Sequence, residues 1–197
     1  MVDFLAGSFG ARNASKRYVR RFFYALVLTF GMSPLQSATL ERLSLNDMIQ
    51  KSTAIVRGTV TGSHVAQQGA LIYTHYTVHV TERFKGPAQA SVDIVVPGGT
   101  FNNIRQSFAG TPSFRAGDDY VFFLWTGSSG LTHIIGLTQG LFALSGGPAA
   151  NPIAKRAASS EVVLDPTTGR QVKDQTLTMN LSNLRSLIVK NLNGAGN

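Results

Sequence analysis

The sequence predicts a mainly β domain with a short helix at each end. Three observations carry this. β-Branched segments alternate apolar and polar residues along 54–61, 71–84 and 91–96, the two-residue period of a half-buried strand. Gly69-Ala70, Lys85-Gly86-Pro87 and Pro97-Gly98-Gly99 interrupt the chain between or after these segments, as turn chemistry requires. A helical period is found only near the two ends of the β-rich part. Many short strands flanked by helices fit a small β-barrel or a sandwich. A five-stranded barrel with a capping helix fits the strand count best.

The first helix is expected within 39–52. Leu45, Met48 and Ile49 form an i, i+3, i+4 stripe, and Ser44 with Asp47 gives a partial capping box. In the strand that follows, Ala54, Val56, Gly58 and Val60 share one face and Arg57, Thr59 and Thr61 the other; a glycine inside such a run points to a bulge or bend. After a turn at 67–70, Thr74, Tyr76, Val78 and Val80 oppose Tyr73, His75, Thr77 and His79. Val92, Ile94 and Val96 face inward on the next strand. Residues 100–117 lack a period, yet they hold Phe101, Ile104, Phe108 and Phe114. Burying such side chains stabilises by about 1.5–3 kcal/mol each, so an ordered loop is expected. Residues 119–125 are apolar on both faces, as in a central strand. Short strands follow at 131–136 and 140–144. A mobile insertion is expected over 145–174, with a hairpin in which 161–164 and 170–173 flank an Asp-Pro-Thr-Thr-Gly turn. Leu181, Leu184, Leu187, Ile188 and Leu192 trace the final helix, at about 180–192, with Asn180 or Thr178 as its cap.

Residues 1–38 are expected to be a signal peptide. Arg12, Lys16, Arg17, Arg20 and Arg21 precede an apolar run of 11 residues at 22–32, and small residues follow Pro34. That order marks a secretory leader. The run is short against the roughly 20 residues of a bilayer-spanning helix, so no stable membrane anchor is expected after cleavage. Residues 39–197 then form a single domain, exported to the periplasm or beyond. The whole chain has 18 basic and 10 acidic residues; losing five basic residues and Asp3 leaves 13 and 9, so the formal +8 falls to +4. The remaining basic residues are scattered, whereas nucleic-acid binding calls for a basic patch. With no cysteine, thiol catalysis and Cys-ligated metal are excluded, and the domain must rely on its core.

The segment Thr53-Ala54-Ile55-Val56-Arg57-Gly58-Thr59-Val60, with Phe84-Lys85-Gly86-Pro87 and later Gly117-Asp118-Asp119-Tyr120-Val121-Phe122-Phe123, resembles netrin-like domains. Those are the OB-type barrels of the tissue inhibitors of metalloproteinases and of complement C-terminal domains. The order of Val96-Pro97-Gly98-Gly99, Gly110-Thr111-Pro112-Ser113-Phe114 and Gln139-Gly140-Leu141-Phe142 is similar to that of exported bacterial proteins of uncharacterised activity. The resemblance implies a small OB-like barrel over about 53–144 and a protein partner, with a secreted peptidase as the class suggested by the inhibitors. The inhibitors chelate zinc through an N-terminal cysteine, which this chain lacks, so their mechanism is not implied.

Catalytic signals are absent from the residue pattern. His75 and His79 share a strand face but stand about 13 Å apart at strand rise, too far to hold one metal, and no metal or cofactor is expected. No Gly-x-Ser-x-Gly elbow occurs. Asp118 and Asp119 are adjacent and point to opposite faces of a strand. Pro97-Gly98-Gly99-Thr100 lacks the lysine of a phosphate-binding loop. The expectation is a non-catalytic exported binding module that contacts a protein through residues 97–117, with Phe101, Arg105, Phe108 and Phe114 as contact residues. Alternatively these phenylalanines plug one end of the barrel. Two other functions stay open: glycan or small-ligand binding on the face near Tyr73, His75 and His79, and a hydrolase whose site would involve Asp118, Asp119 or His133.

Overall fold

A computed structural model describes residues 39–148 and 150–194. The signal peptide expected over 1–38 lies outside the described residues. The chain runs β1 (Thr39–Glu41), α1 (Leu45–Lys51), β2 (Ala54–Gln68), β3 (Leu71–Lys85), β4 (Ser91–Pro97), β5 (Gly99–Phe101), β6 (Ile104–Gln106), β7 (Asp119–Thr126) and β8 (Thr132–Ile134). It continues through β9 (Leu141–Ser145), β10 (Ile153–Arg156), β11 (Val162–Leu164), β12 (Gln171–Val172), β13 (Leu177–Asn180) and α2 (Leu181–Gly194). The protein is mainly β, as the period-two segments indicate.

The main sheet has the order β13-β10-β9-β7-β2-β3-β4, and β8 also pairs with β7. It is not closed into a barrel. The reason lies in β7. One edge of β7 is taken by β2, from Ala54↔Leu124 to Thr59↔Asp119. The other edge is divided: β8 pairs with 124–126 and β9 with 120–122. Through β9 the sheet continues outward to β10 and β13 instead of returning to β4. β8 lies beside β4, and no ladder joins the two among the described residues.

β2 and β3 form a hairpin with 15 residues in each strand, joined at Gly69, whose φ is +60°. Register shifts at Ile55/Val56, Arg57/Gly58 and Val60/Gly62 curl it, since each bulge increases local twist. Gly58 sits at one of them, and a Cβ there would stand 2.5 Å from Val78 Cγ1 and 2.6 Å from the His79 carbonyl oxygen. The curl wraps a first core containing Val56, Val78, Ile94, Phe122 and Leu124. The opposite faces of β2 and β7 send Ile55, Val121 and Phe123 into a second core, with Met48 and Ile49 of α1 and Leu181, Leu184 and Ile188 of α2. Double coverage explains why residues 121–124 are apolar throughout.

Ser44 caps α1 in a complete capping box, in which the Asp47 N–H donates to Ser44 Oγ and the Ser44 N–H to Asp47 Oδ2. The start of α2 differs from the expected Asn180 or Thr178 cap. Both residues belong to β13, and the first amides of the helix donate to the Pro152 carbonyl and to Asn151 Oδ1. The segment 145–174 contains three strands. β10 is an internal strand of the main sheet, between β9 and β13. β11 and β12 form the expected hairpin, and β11 also pairs in parallel with β1.

Candidate functional site

The 97–117 excursion is built on a two-strand hairpin. Asn102 and Asn103 both have positive φ, at 47° and 63°, the turn that matches strand twist in tight hairpins. The turn joins β5 to β6 in the register Thr100↔Arg105 and Phe101↔Ile104. Gln106 fastens the hairpin to β3: its Oε1 accepts from the Ile72 N–H at 2.8 Å and its Nε2 donates to the Ala70 carbonyl at 2.9 Å. The Gly98 N–H donates to the Ile72 carbonyl at 2.7 Å, and Thr74 Oγ1 donates to the Gly98 carbonyl at 2.8 Å. Gly99, at φ +139°, passes so close that a Cβ would lie 2.9 Å from Thr74 Oγ1.

Where Thr74, Tyr76 and Val96 meet this hairpin and residues 111–113 lies a groove of about 300 Å³. Thr74, Tyr76, Arg105, Ser107 and Thr111 are among its lining residues. Arg105 is exposed and has no ion-pair partner among the described residues. Phe108 is 40% exposed. Phe101 is half-buried. Phe114 turns inward and packs edge-on against Tyr76, Tyr120 and Phe122 at centroid distances of 4.9, 5.3 and 5.8 Å. It closes the end of the first core, so the four sequence-derived contact residues do not share one surface. Ile104 is 56% exposed, on the face of β6 opposite to Arg105. In the sequence it was one of four apolar residues in a segment without a period, and nothing there marked it as exposed.

The imidazoles fall into separate groups. His75 stacks on His64 at 4.6 Å, and its Nδ1 lies 2.7 Å from Asp93 Oδ2. His79 is exposed farther along β3. His133 contacts Tyr73 at 6.2 Å and stacks on Trp125 at 6.3 Å; burial pushes its pKa down. Among the described residues no group of three or more His, Cys, Asp or Glu could hold a metal ion.

The two adjacent aspartates make local contacts. Asp118 Oδ2 accepts from the Arg115 N–H at 2.8 Å and from the Tyr120 hydroxyl at 3.4 Å. Burial, followed by the Asp118 charge and hydrogen bond, pushes the Tyr120 phenol up. Asp119 pairs with Arg57 at 2.7 Å.

The described residues thus define a mainly β domain with an open, partly curled sheet, two helices and an anchored hairpin over a polar groove. Among them no helix is long and apolar enough to cross a membrane. No protein-family model, curated protein or solved structure matches the chain.

Proposed function

We propose that the protein is an exported, non-catalytic binding module whose curled sheet is a partly open variant of the OB type. It contacts a protein partner through the hairpin and loop of residues 97–117. The observation that carries this reading is that one short segment exposes Ile104 and Phe108 and an Arg105 without an ion-pair partner among the described residues, while four hydrogen bonds from Gly98 and Gln106 to residues 70–74 fasten it. Aromatic and Arg side chains are enriched at interface centres, and a fastened hairpin loses little conformational freedom on binding. A secreted peptidase is the partner class to try first.

The test immobilises residues 38–197 and identifies what is retained from an exported protein fraction. The triple variant Ile104→Ala, Arg105→Ala, Phe108→Ala is run beside the wild type. A saturable partner lost in the variant is the expected result; a partner held equally by both overturns the loop assignment.

A second reading has its own support. Trp125 is 48% exposed and forms with His133 and Tyr73 a row of rings suited to the apolar face of a sugar. In this reading an oligosaccharide quenches or shifts Trp125 fluorescence, and Trp125→Ala abolishes binding.

A further inference from the structure

We propose that the cleft between the strand-to-helix segment at 42–45 and the segment 173–179 binds a small amphipathic monoanion, a carboxylate carried on an apolar chain. The proposal is independent of the 97–117 hairpin. The cleft measures about 380 Å³, within the range of about 300–1,000 Å³ usual for small-molecule sites. Its apolar wall is formed by Leu43, Leu45, Leu177 and Met179. All four pack against the second core, which makes that wall firm.

The polar wall has a positive excess. Arg42, Arg156, Lys173 and Asp174 line it. The Arg156 and Asp174 side chains are 4% and 3% exposed and paired at 2.8 Å. Both carboxylate oxygens of Asp174 are occupied: Oδ1 accepts from Arg156 Nη2 and the Gln175 N–H, and Oδ2 from Arg156 Nη1 and the Ser159 N–H. Its charge is therefore spent on Arg156. Arg156 Nε, by contrast, is a buried donor with no acceptor, and a buried donor left in that state costs roughly 1–3 kcal/mol.

Arg42 and Lys173 are exposed and carry no ion pair among the described residues. Asp165 is close enough to feel the Arg42 charge, but it forms no ion pair with Arg42 among the described residues and does not line the cleft. Two free cations at the rim of a firm apolar wall match one carboxylate and an aliphatic body. Inorganic phosphate would satisfy the cations and leave the apolar wall unused, which makes it the discriminating probe.

The experiment titrates the full chain with octanoate, octanol and inorganic phosphate by calorimetry. A parallel carbon-detected methyl spectrum follows Leu43, Leu45, Leu177 and Met179. Expected are saturable one-to-one octanoate binding, at least about tenfold weaker binding of octanol and of phosphate, and shifts centred on those four methyl-bearing residues. Arg42→Gln with Lys173→Gln should weaken octanoate about tenfold or more, roughly 1.4 kcal/mol. The proposal is overturned if octanol or phosphate binds as tightly as octanoate, or if the double variant binds unchanged. The wild-type methyl map decides independently of how well the variant folds: shifts lying outside the cleft also overturn it.

Discussion

The curled half of the sheet and the helix-covered half share β2 and β7 but are assembled on different principles. In the first, β2, β3 and β4 follow one another as antiparallel neighbours around a core of apolar side chains and Tyr76. In the second, β9 and β10 also pair with a near neighbour in sequence, but β13 joins β10 only after the β11–β12 hairpin, and α1 meets α2 from the opposite end of the domain. The margin of the second half also contains the buried Arg156–Asp174 pair. A shared pair of doubly covered strands thus joins a region of consecutive strand pairing to one completed by helices docked from the two ends of the domain. The two cores meet at neighbouring residues: Phe122 faces the first and Phe123 the second.

The largest effects should come from those two residues. Both are fully buried, and truncating a buried Phe to Ala costs about 3–5 kcal/mol. Phe122→Ala and Phe123→Ala should each lower stability by that amount while leaving a single cooperative transition, because β7 belongs to both halves. Urea melts followed by near-UV and far-UV dichroism check this. If Phe123→Ala splits the melt into two steps, the helix-covered half is a separate folding unit.

Asp174 separates the halves by charge. Burial pushes its carboxyl up, but the Arg156 hydrogen bond, the Ser159 and Gln175 amides and the Arg156 charge together hold it below its ordinary value. The sign follows from the depressed folded value. The contribution to stability is fully present above the unfolded carboxyl value of about 3.9, and it is lost as pH falls through the lower folded value. Asp174→Asn leaves Arg156 charged and buried without its counterion, a change that costs about 3–5 kcal/mol. The expected outcome is a large loss at neutral pH and a flatter stability profile in that acidic window. Equal acid sensitivity in the variant and the wild type would assign the window to other carboxylates.

What was legible follows from the same contrast. The alternation in residues 71–84 and 91–96 is a local signal and gives β3 and β4, and Ser44 with Asp47 gives the α1 cap. The split edge of β7 is not written in any local pattern: closure or extension depends on whether β4 or β9 takes that edge. β10 was hidden because Ile153-Ala154-Lys155-Arg156 alternates for only four residues after a Gly- and Pro-rich stretch. Polar anchors were hidden as well. Gln139 is fully buried, with its Oε1 accepting from the Leu43 N–H and its Nε2 donating to the Glu41 carbonyl; nothing in its neighbours marks it as structural. In the candidate site, the loop and its exposed Arg105 and Phe108 could be read from composition. The inward turn of Phe114 required knowing that the first core opens beneath it.

The smallest expected effect tests the tie between the halves. Arg185 of α2 reaches Glu82 of β3 with two contacts, Nε to Oε1 at 2.7 Å and Nη2 to Oε2 at 2.8 Å. The Glu82 hydrogen bond raises the Arg185 pKa, and burial offsets part of the rise. The geometry is bidentate, but the side chains are 40% and 29% exposed. Solvent therefore screens the attraction, and exposed pairs couple by about 0.2–1 kcal/mol. A double-mutant cycle with Arg185→Met and Glu82→Gln should return a coupling in that range, and it should shrink as salt is raised. A coupling well above it that resists salt would mean that the bridge is shielded in solution and contributes more to docking α2 than the shared apolar core implies. A value near zero would leave the second core, the paired strands and the Lys85 hydrogen bonds to the Ile49 and Gln50 carbonyls of α1 as what joins the halves.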